Sequence, residues 1–99
     1  GIDWFSEHLA AERRLSPQTV RAYASDLRQF ADFATGRDVE RLDGVTLDLL
    51  RDWLWAASEA GSSKATLARR TATAKAWSAW LLRTGRLDSD VAARLRSPK

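Results

Sequence analysis

Cysteine is absent from this chain of 99 residues, and histidine and tyrosine occur once each. Without cysteine, neither a disulfide framework nor a thiolate zinc site can form. No apolar run approaches the roughly 20 residues that a membrane-spanning helix requires, and nothing at the N-terminus is typical of a signal peptide. We expect no membrane partner, no metal, no other cofactor and no small-molecule ligand.

The residues that catalysis requires are also scarce. Tyr23 lies on an apolar stripe, where a core or capping role suits it better than nucleophilic attack. His8 has no evident partner in its own predicted helix. A glycine-rich phosphate loop and a set of metal ligands are both missing. The sequence therefore predicts a chain that is not an enzyme by itself.

Acidic residues are missing from one long interval. Residues 1–50 sum to a charge of −3 and residues 51–99 to +6. No acid occurs between Glu59 and Asp88, although six cations do: Lys64, Arg69, Arg70, Lys75, Arg83 and Arg86. Such asymmetry favours a face that binds a polyanion. A merely solvated helix face is the alternative, and charge alone does not separate the two.

Helical periodicity runs through the chain, and no segment alternates as a strand would. It predicts one all-α domain over residues 1–99, a bundle of four to five helices. The predicted helices span residues 2–13, Ser16 to Gly36, Thr46 to Gly61, Lys64 to Thr84 and, as a short last one, Ser89 to Leu95.

Apolar stripes predict which residues form the core. They comprise Val20, Tyr23, Ala24, Leu27, Phe30, Ala31 and Ala34; Leu49, Leu50, Trp53, Leu54 and Ala57; and Leu67, Thr71, Ala74, Trp77, Ser78 and Leu81. Trp55 and Trp80 are expected to be partly exposed and to be available to a neighbouring protomer.

Two predicted helix starts carry small hydroxyl residues and positive charge. Ser16 precedes Pro17 in one, and Ser63 precedes Lys64 in the other. Free N–H groups and a partial positive charge make a helix N-terminus a site for phosphate oxygens, although serine caps are also common without any ligand. The candidate binding residues are Arg14, Ser16, Gln18, Thr19, Arg21, Ala22, Ser63, Lys64, Thr66, Arg69, Arg70, Thr73 and Lys75.

The stretch ERRLSPQTVRAYASDLRQFADFA resembles the N-terminal core-binding domain of Xer-type tyrosine recombinases, a phage-integrase-like family. Its Leu-Ser-x-x-Thr, Tyr, Asp-Leu and aromatic pattern corresponds to Leu15, Ser16, Thr19, Tyr23, Asp26, Leu27 and Phe30. The second half is similar to the last helices of that domain, through Ser63, Thr66, Arg69, Arg70, Trp77, Trp80, Gly85, Pro98 and Lys99. The resemblance covers nearly the whole chain, in order.

This resemblance implies a SAM-like bundle that forms half of a C-shaped clamp around duplex DNA, with a catalytic domain beyond residue 99. It implies that the helices starting at Ser16 and Ser63 face the major groove, that protomers meet in a synaptic tetramer, and that the protein acts in the bacterial cytoplasm. We expect Lys64, Arg69, Arg70 and Lys75 to contact phosphates, and Gln18, Thr19, Ala22 and Thr66 to lie nearer base edges. Chromosome-dimer resolution fits more closely than integration of a mobile element, and the target site stays open.

Two other functions remain possible at this stage. A helical protein-interaction module would present the same basic face to an acidic partner. A helix-turn-helix regulator would need a short recognition helix after a tight turn; only residues 14–17 offer such a turn, and the long fourth helix argues against it.

Overall fold

Three α-helices and one short 3₁₀ turn make up the described fold. The structure is a computed structural model that describes residues 16–98, so the helix predicted over residues 2–13 lies outside the described residues. Helix α1 spans Pro17–Gly36, α2 spans Leu47–Glu59 and α3 spans Lys64–Arg83. The 3₁₀ turn, Leu42–Gly44, lies between α1 and α2. The all-α class is confirmed, and residues 16–98 contain no strand.

Each helix starts at a hydroxyl side chain, as predicted. Ser16, Thr46 and Ser63 accept a hydrogen bond from the backbone N–H three residues later, which satisfies one donor that the first turn leaves unpaired. Gly61 and Gly85 follow α2 and α3 with φ angles of +94° and +77°, a backbone conformation that glycine adopts without a Cβ clash. These termini explain why the predicted boundaries agree closely with the observed ones.

Phe30 joins the three helices at the centre of the core. Its ring meets Trp53 of α2 edge-on at 5.2 Å between centroids and Trp77 of α3 at 5.8 Å, the T-shaped arrangement that aromatic quadrupoles favour. Leu50 and Leu54 are fully buried beside them. All the core residues predicted for α2 and α3 are buried, whereas Val20, Tyr23 and Ala31 of α1 are only half-buried.

Two predictions about the fold are wrong. Trp80 is buried, not partly exposed, whereas Trp55 is exposed, at 60 %. The segment after Asp90 forms two successive turns instead of a fifth helix. The Ser78 hydroxyl bonds the Asp90 carboxylate and accepts from the Ala92 N–H. These bonds hold the segment against α3 as two turns.

Candidate nucleic-acid interface

The starts of α1 and α3 repeat the same local geometry. Ser16 Oγ accepts from the Thr19 N–H at 3.2 Å and lies 2.9 Å from the Thr19 hydroxyl. Ser63 Oγ accepts from the Thr66 N–H at 3.1 Å and bonds the Thr66 hydroxyl at 3.0 Å. Neither helix has an acidic residue in its first turn, whereas α2 has Asp48 there. The positive ends of α1 and α3 therefore receive no charge compensation from their own first turn.

The helices that begin at Ser16 and Ser63 contact each other. Asp26 of α1 contacts Arg69 of α3, and Phe30 further along α1 contacts Trp77 further along α3. Asp26 lies ten residues after Ser16 and Arg69 six residues after Ser63, so each start leads within about three helical turns to the same ion pair. We call residues 16–22 and 63–69 the helix-start surface; these ranges contain three cations, Arg21, Lys64 and Arg69, and no acid.

A buried carboxylate fixes α1 to α3 just behind that surface. Asp26 is fully buried and accepts from Arg69 Nε at 3.0 Å and Nη2 at 2.6 Å, a bidentate pair. The Thr73 hydroxyl donates to the same carboxylate at 3.0 Å, and Arg70 Nε lies 3.7 Å from it. The hydrogen bonds from Arg69 to Asp26 raise the pKa of the Arg69 guanidinium, although its desolvation opposes this shift.

Thr73 and Arg70, named from the sequence as candidate binding residues, are not exposed. Thr73 is fully buried, and its hydroxyl lies at hydrogen-bonding distance from both the Asp26 carboxylate and the Arg69 carbonyl. Arg70 keeps only 13 % of its side chain exposed, bonds Gln29 and lies over the Trp53 ring at 5.4 Å. Arg69 remains 43 % exposed, so one edge of its guanidinium faces solvent while the other holds Asp26. We refer to Asp26, Arg69, Arg70 and Thr73 as the Asp26 cluster.

Asp26 is the important residue that sequence reasoning left without a role. It lies three residues after Tyr23 and four before Phe30, which places it on the flank of the apolar stripe. An acid at that position is a signal for a buried ion pair, because an unpaired carboxylate is costly to bury. The partner, 43 residues away, could not be read from the sequence.

The remaining candidate residues divide by exposure. Ser16, Gln18, Arg21, Ser63 and Lys64 are exposed, whereas Thr19, Ala22, Thr66 and Lys75 are half-buried. Gln18 and Ala22 precede Asp26 by eight and four residues, so they lie on the side of α1 that faces α3. Lys75 donates to the Ala93 carbonyl at 3.1 Å. Arg14 lies outside the described residues.

Two further features bear on what this surface can do. Within residues 16–98, no group of three or more His, Asp or Glu side chains comes together that could hold a metal ion. The described helices also include none long and apolar enough to cross a membrane.

Comparison with known proteins identifies the family. The model of the family described as "Phage integrase, N-terminal SAM-like domain" matches residues 2–85. The chain belongs to this family, and its all-α bundle is a SAM-like domain. No solved structure matches the chain significantly.

Curated relatives carry the name tyrosine recombinase XerC. The chain is 47 % identical over 98 residues to that of Mycobacterium bovis (strain BCG / Pasteur 1173P2) and 48 % identical over 98 residues to that of Corynebacterium glutamicum. It is 44 % identical over 99 residues to the one from Mycobacterium sp. (strain KMS). Each match covers 99 % of this chain but 33 %, 30 % and 33 % of the relative. The chain thus spans about a third of the length of these relatives.

Proposed function

We propose that this chain binds duplex DNA sequence-specifically, as the N-terminal arm of a tyrosine site-specific recombinase. The observation that carries the proposal is the helix-start surface, where two helix starts with serine caps, cations and no acid both lead to the Asp26–Arg69 contact. Phosphate oxygens supply the negative charge that both helix ends lack. Duplex DNA carries such groups at short, regular intervals.

The Asp26 cluster supports this role by fixing the spacing of the two helices. Because Asp26 is fully buried and binds α3 through Arg69 and Thr73, the two starts hold a fixed separation. A fixed separation suits a ligand whose phosphates are themselves regularly spaced. In this arrangement the phosphates are contacted by Ser16, Arg21, Ser63, Lys64 and the solvent-facing edge of Arg69. The residues that lie nearer the bases are Gln18, Thr19, Ala22 and Thr66.

The relatives support a more specific role. Since they are recombinases about three times as long as this chain, we place the catalytic domain after residue 99 and treat the chain as the non-catalytic arm of a DNA clamp. Its partners are then duplex DNA and further recombinase protomers in a synaptic tetramer. Its cellular role is chromosome-dimer resolution in the bacterial cytoplasm.

A salt series of fluorescence-anisotropy titrations on a short duplex tests the proposal. The variant R21Q/K64Q removes two exposed cations of the helix-start surface. The matched control R37Q/R41Q makes the same change in net charge at the opposite end of α1, where Arg37 and Arg41 pair with Asp52 and Asp43. Each cation that neutralises a phosphate adds about 0.9 to the steepness of the log–log salt dependence. We therefore expect a slope shallower by about two units for R21Q/K64Q and little change for the control.

Two outcomes would contradict the proposal. One is that the unchanged chain does not bind duplex DNA even at low salt, in which case a protein-interaction module with an acidic partner becomes the better explanation. The other is that R21Q/K64Q and R37Q/R41Q lose affinity equally, since binding would then follow net charge and not this surface. Replacing Arg69 or Arg70 is a poor test, because either change removes one partner of the buried Asp26 carboxylate and so also affects stability.

A further inference from the structure

Four cations surround an open cavity that shares no residue with the helix-start surface. After α3 the chain returns across the bundle and encloses this cavity together with α2 and α3. Its lining consists of Arg51, Lys75, Ala93, Arg94, Leu95 and Arg96. The lining contains no acidic residue, so it is a concentrated positive site and not a solvated mixture of charges. We call it the cationic cavity.

The cations from the last segment are held in place by their buried neighbours. Leu95 is fully buried between Arg94 and Arg96, and Ala92 is fully buried one turn earlier. The Ser78 hydroxyl accepts from the Ala92 N–H at 3.1 Å, and Lys75 donates to the Ala93 carbonyl. The core therefore fixes the backbone from which the two arginines extend, which reduces the part of the ordering cost of binding that comes from the main chain.

Little in the described part of the chain neutralises these charges. Arg94 and Arg96 are both exposed, and no acid of residues 16–98 forms an ion pair with either. Lys75 bonds only a neutral carbonyl. Arg51 has an ion pair with Asp48 at 3.6 Å, but both side chains are more than half exposed, and such pairs are weak. An anion that enters the cavity would meet four cations, and the described part of the chain offers few acidic groups that compete for them.

We propose that the cationic cavity binds a backbone phosphate of duplex DNA, as a second anchor separate from the helix-start surface. This inference rests on the proposed function. Lys75 follows Lys64 by 11 residues on the same side of α3, a distance of about 16 Å along the helix. The major groove is roughly 12 Å wide, so α3 can cross it with its start at one strand and the cavity at the other.

The residues between the two anchors suit this placement. Ala68 and Ala72 lie on the exposed side of α3 between Lys64 and Lys75. Their short side chains allow the helix to lie close to base edges without a steric conflict. Phosphate contacts with both strands would then fix the position of α3 along the duplex. Such contacts position a protein on DNA without reading its sequence.

The double variant R94Q/R96Q tests this inference in the same anisotropy salt series. Both arginines are exposed, so the fold should be unaffected, and circular dichroism checks this directly. We expect duplex binding about tenfold weaker than that of the unchanged chain and a salt slope lower by about one unit. The control is again R37Q/R41Q, which removes two paired arginines outside both surfaces.

The outcomes separate this inference from the proposed function. If R94Q/R96Q binds like the control while R21Q/K64Q loses affinity, the cationic cavity is not a phosphate site and the proposed function stands. If the unchanged chain does not bind the duplex, both proposals fail. If R94Q/R96Q and R21Q/K64Q each flatten the salt slope and the control does not, both stand.

Discussion

Two groups of cations in this molecule differ in what neutralises them. In the Asp26 cluster, Arg69 and Arg70 share a fully buried carboxylate supplied by α1. At the helix-start surface, Arg21 and Lys64 lie beside two helix ends that have no acid in their first turns. The first group stabilises the fold, and the second is available to an external anion. Position on the helix, not residue type, decides between these roles.

The largest expected effect is on the Asp26 cluster. Replacing Asp26 by Ala leaves Arg70, which is mostly buried, without a carboxylate and removes the bidentate partner of Arg69. Breaking a buried pair costs about 3–5 kcal/mol. We expect the lower end, about 3 kcal/mol in the free energy of unfolding, because Arg69 is 43 % exposed and can be hydrated. Urea unfolding measures this loss.

A matched control is available on the same helix. Asp32 is an exposed residue of α1, so Asp32→Ala should change the free energy of unfolding by no more than about 0.5 kcal/mol. A decrease of less than about 1 kcal/mol for Asp26→Ala would contradict the view that this cluster fixes α1 to α3.

The outcome for individual residues shows how far the sequence could predict this molecule. Caps, glycines and apolar stripes act locally, so the bounds of α1, α2 and α3 and the core residues of α2 and α3 were predicted from Ser16, Thr46, Ser63 and their periodic neighbours. Thr73 was named as a candidate binding residue but is buried, because its environment depends on Asp26, 47 residues away. A helix was likewise predicted for the last segment, but contacts of Ser78 with Asp90 and Ala92 hold it as a pair of turns. Caps and apolar stripes could be predicted from neighbouring residues in the sequence, whereas contacts between residues far apart in the sequence could not.

Introducing an acidic residue into the first turn of α3 tests whether the cations of the helix-start surface bind phosphate. Ala65 is exposed in the first turn of α3, and glutamate near a helix N-terminus stabilises by about 0.3–1 kcal/mol. Ala65→Glu should therefore raise the free energy of unfolding by about 0.5 kcal/mol while weakening duplex binding about tenfold, because the new carboxylate repels phosphate. Urea unfolding and anisotropy measure the two opposite effects.

The uncharged variant Ala65→Gln separates charge from size. It adds a side chain of the same shape and should leave duplex binding closer to that of the unchanged chain. Equal binding by Ala65→Glu and Ala65→Gln would indicate that no phosphate lies near the start of α3.

The smallest expected effect on duplex binding comes from a comparison of two caps of the same kind. Ser63 caps α3 and Thr46 caps α2, each by accepting from the N–H three residues later at 3.1 Å. Ser63→Ala and Thr46→Ala should each lower the free energy of unfolding by about 1 kcal/mol. Only Ser63→Ala should also weaken duplex binding, by about threefold to tenfold, since its hydroxyl faces the proposed phosphate. Thr46 starts the helix that has Asp48 in its first turn, so its replacement should leave anisotropy titrations unchanged. If both variants lowered stability and binding alike, the effect on binding would follow from stability alone, and the difference between the helix starts would have no functional meaning.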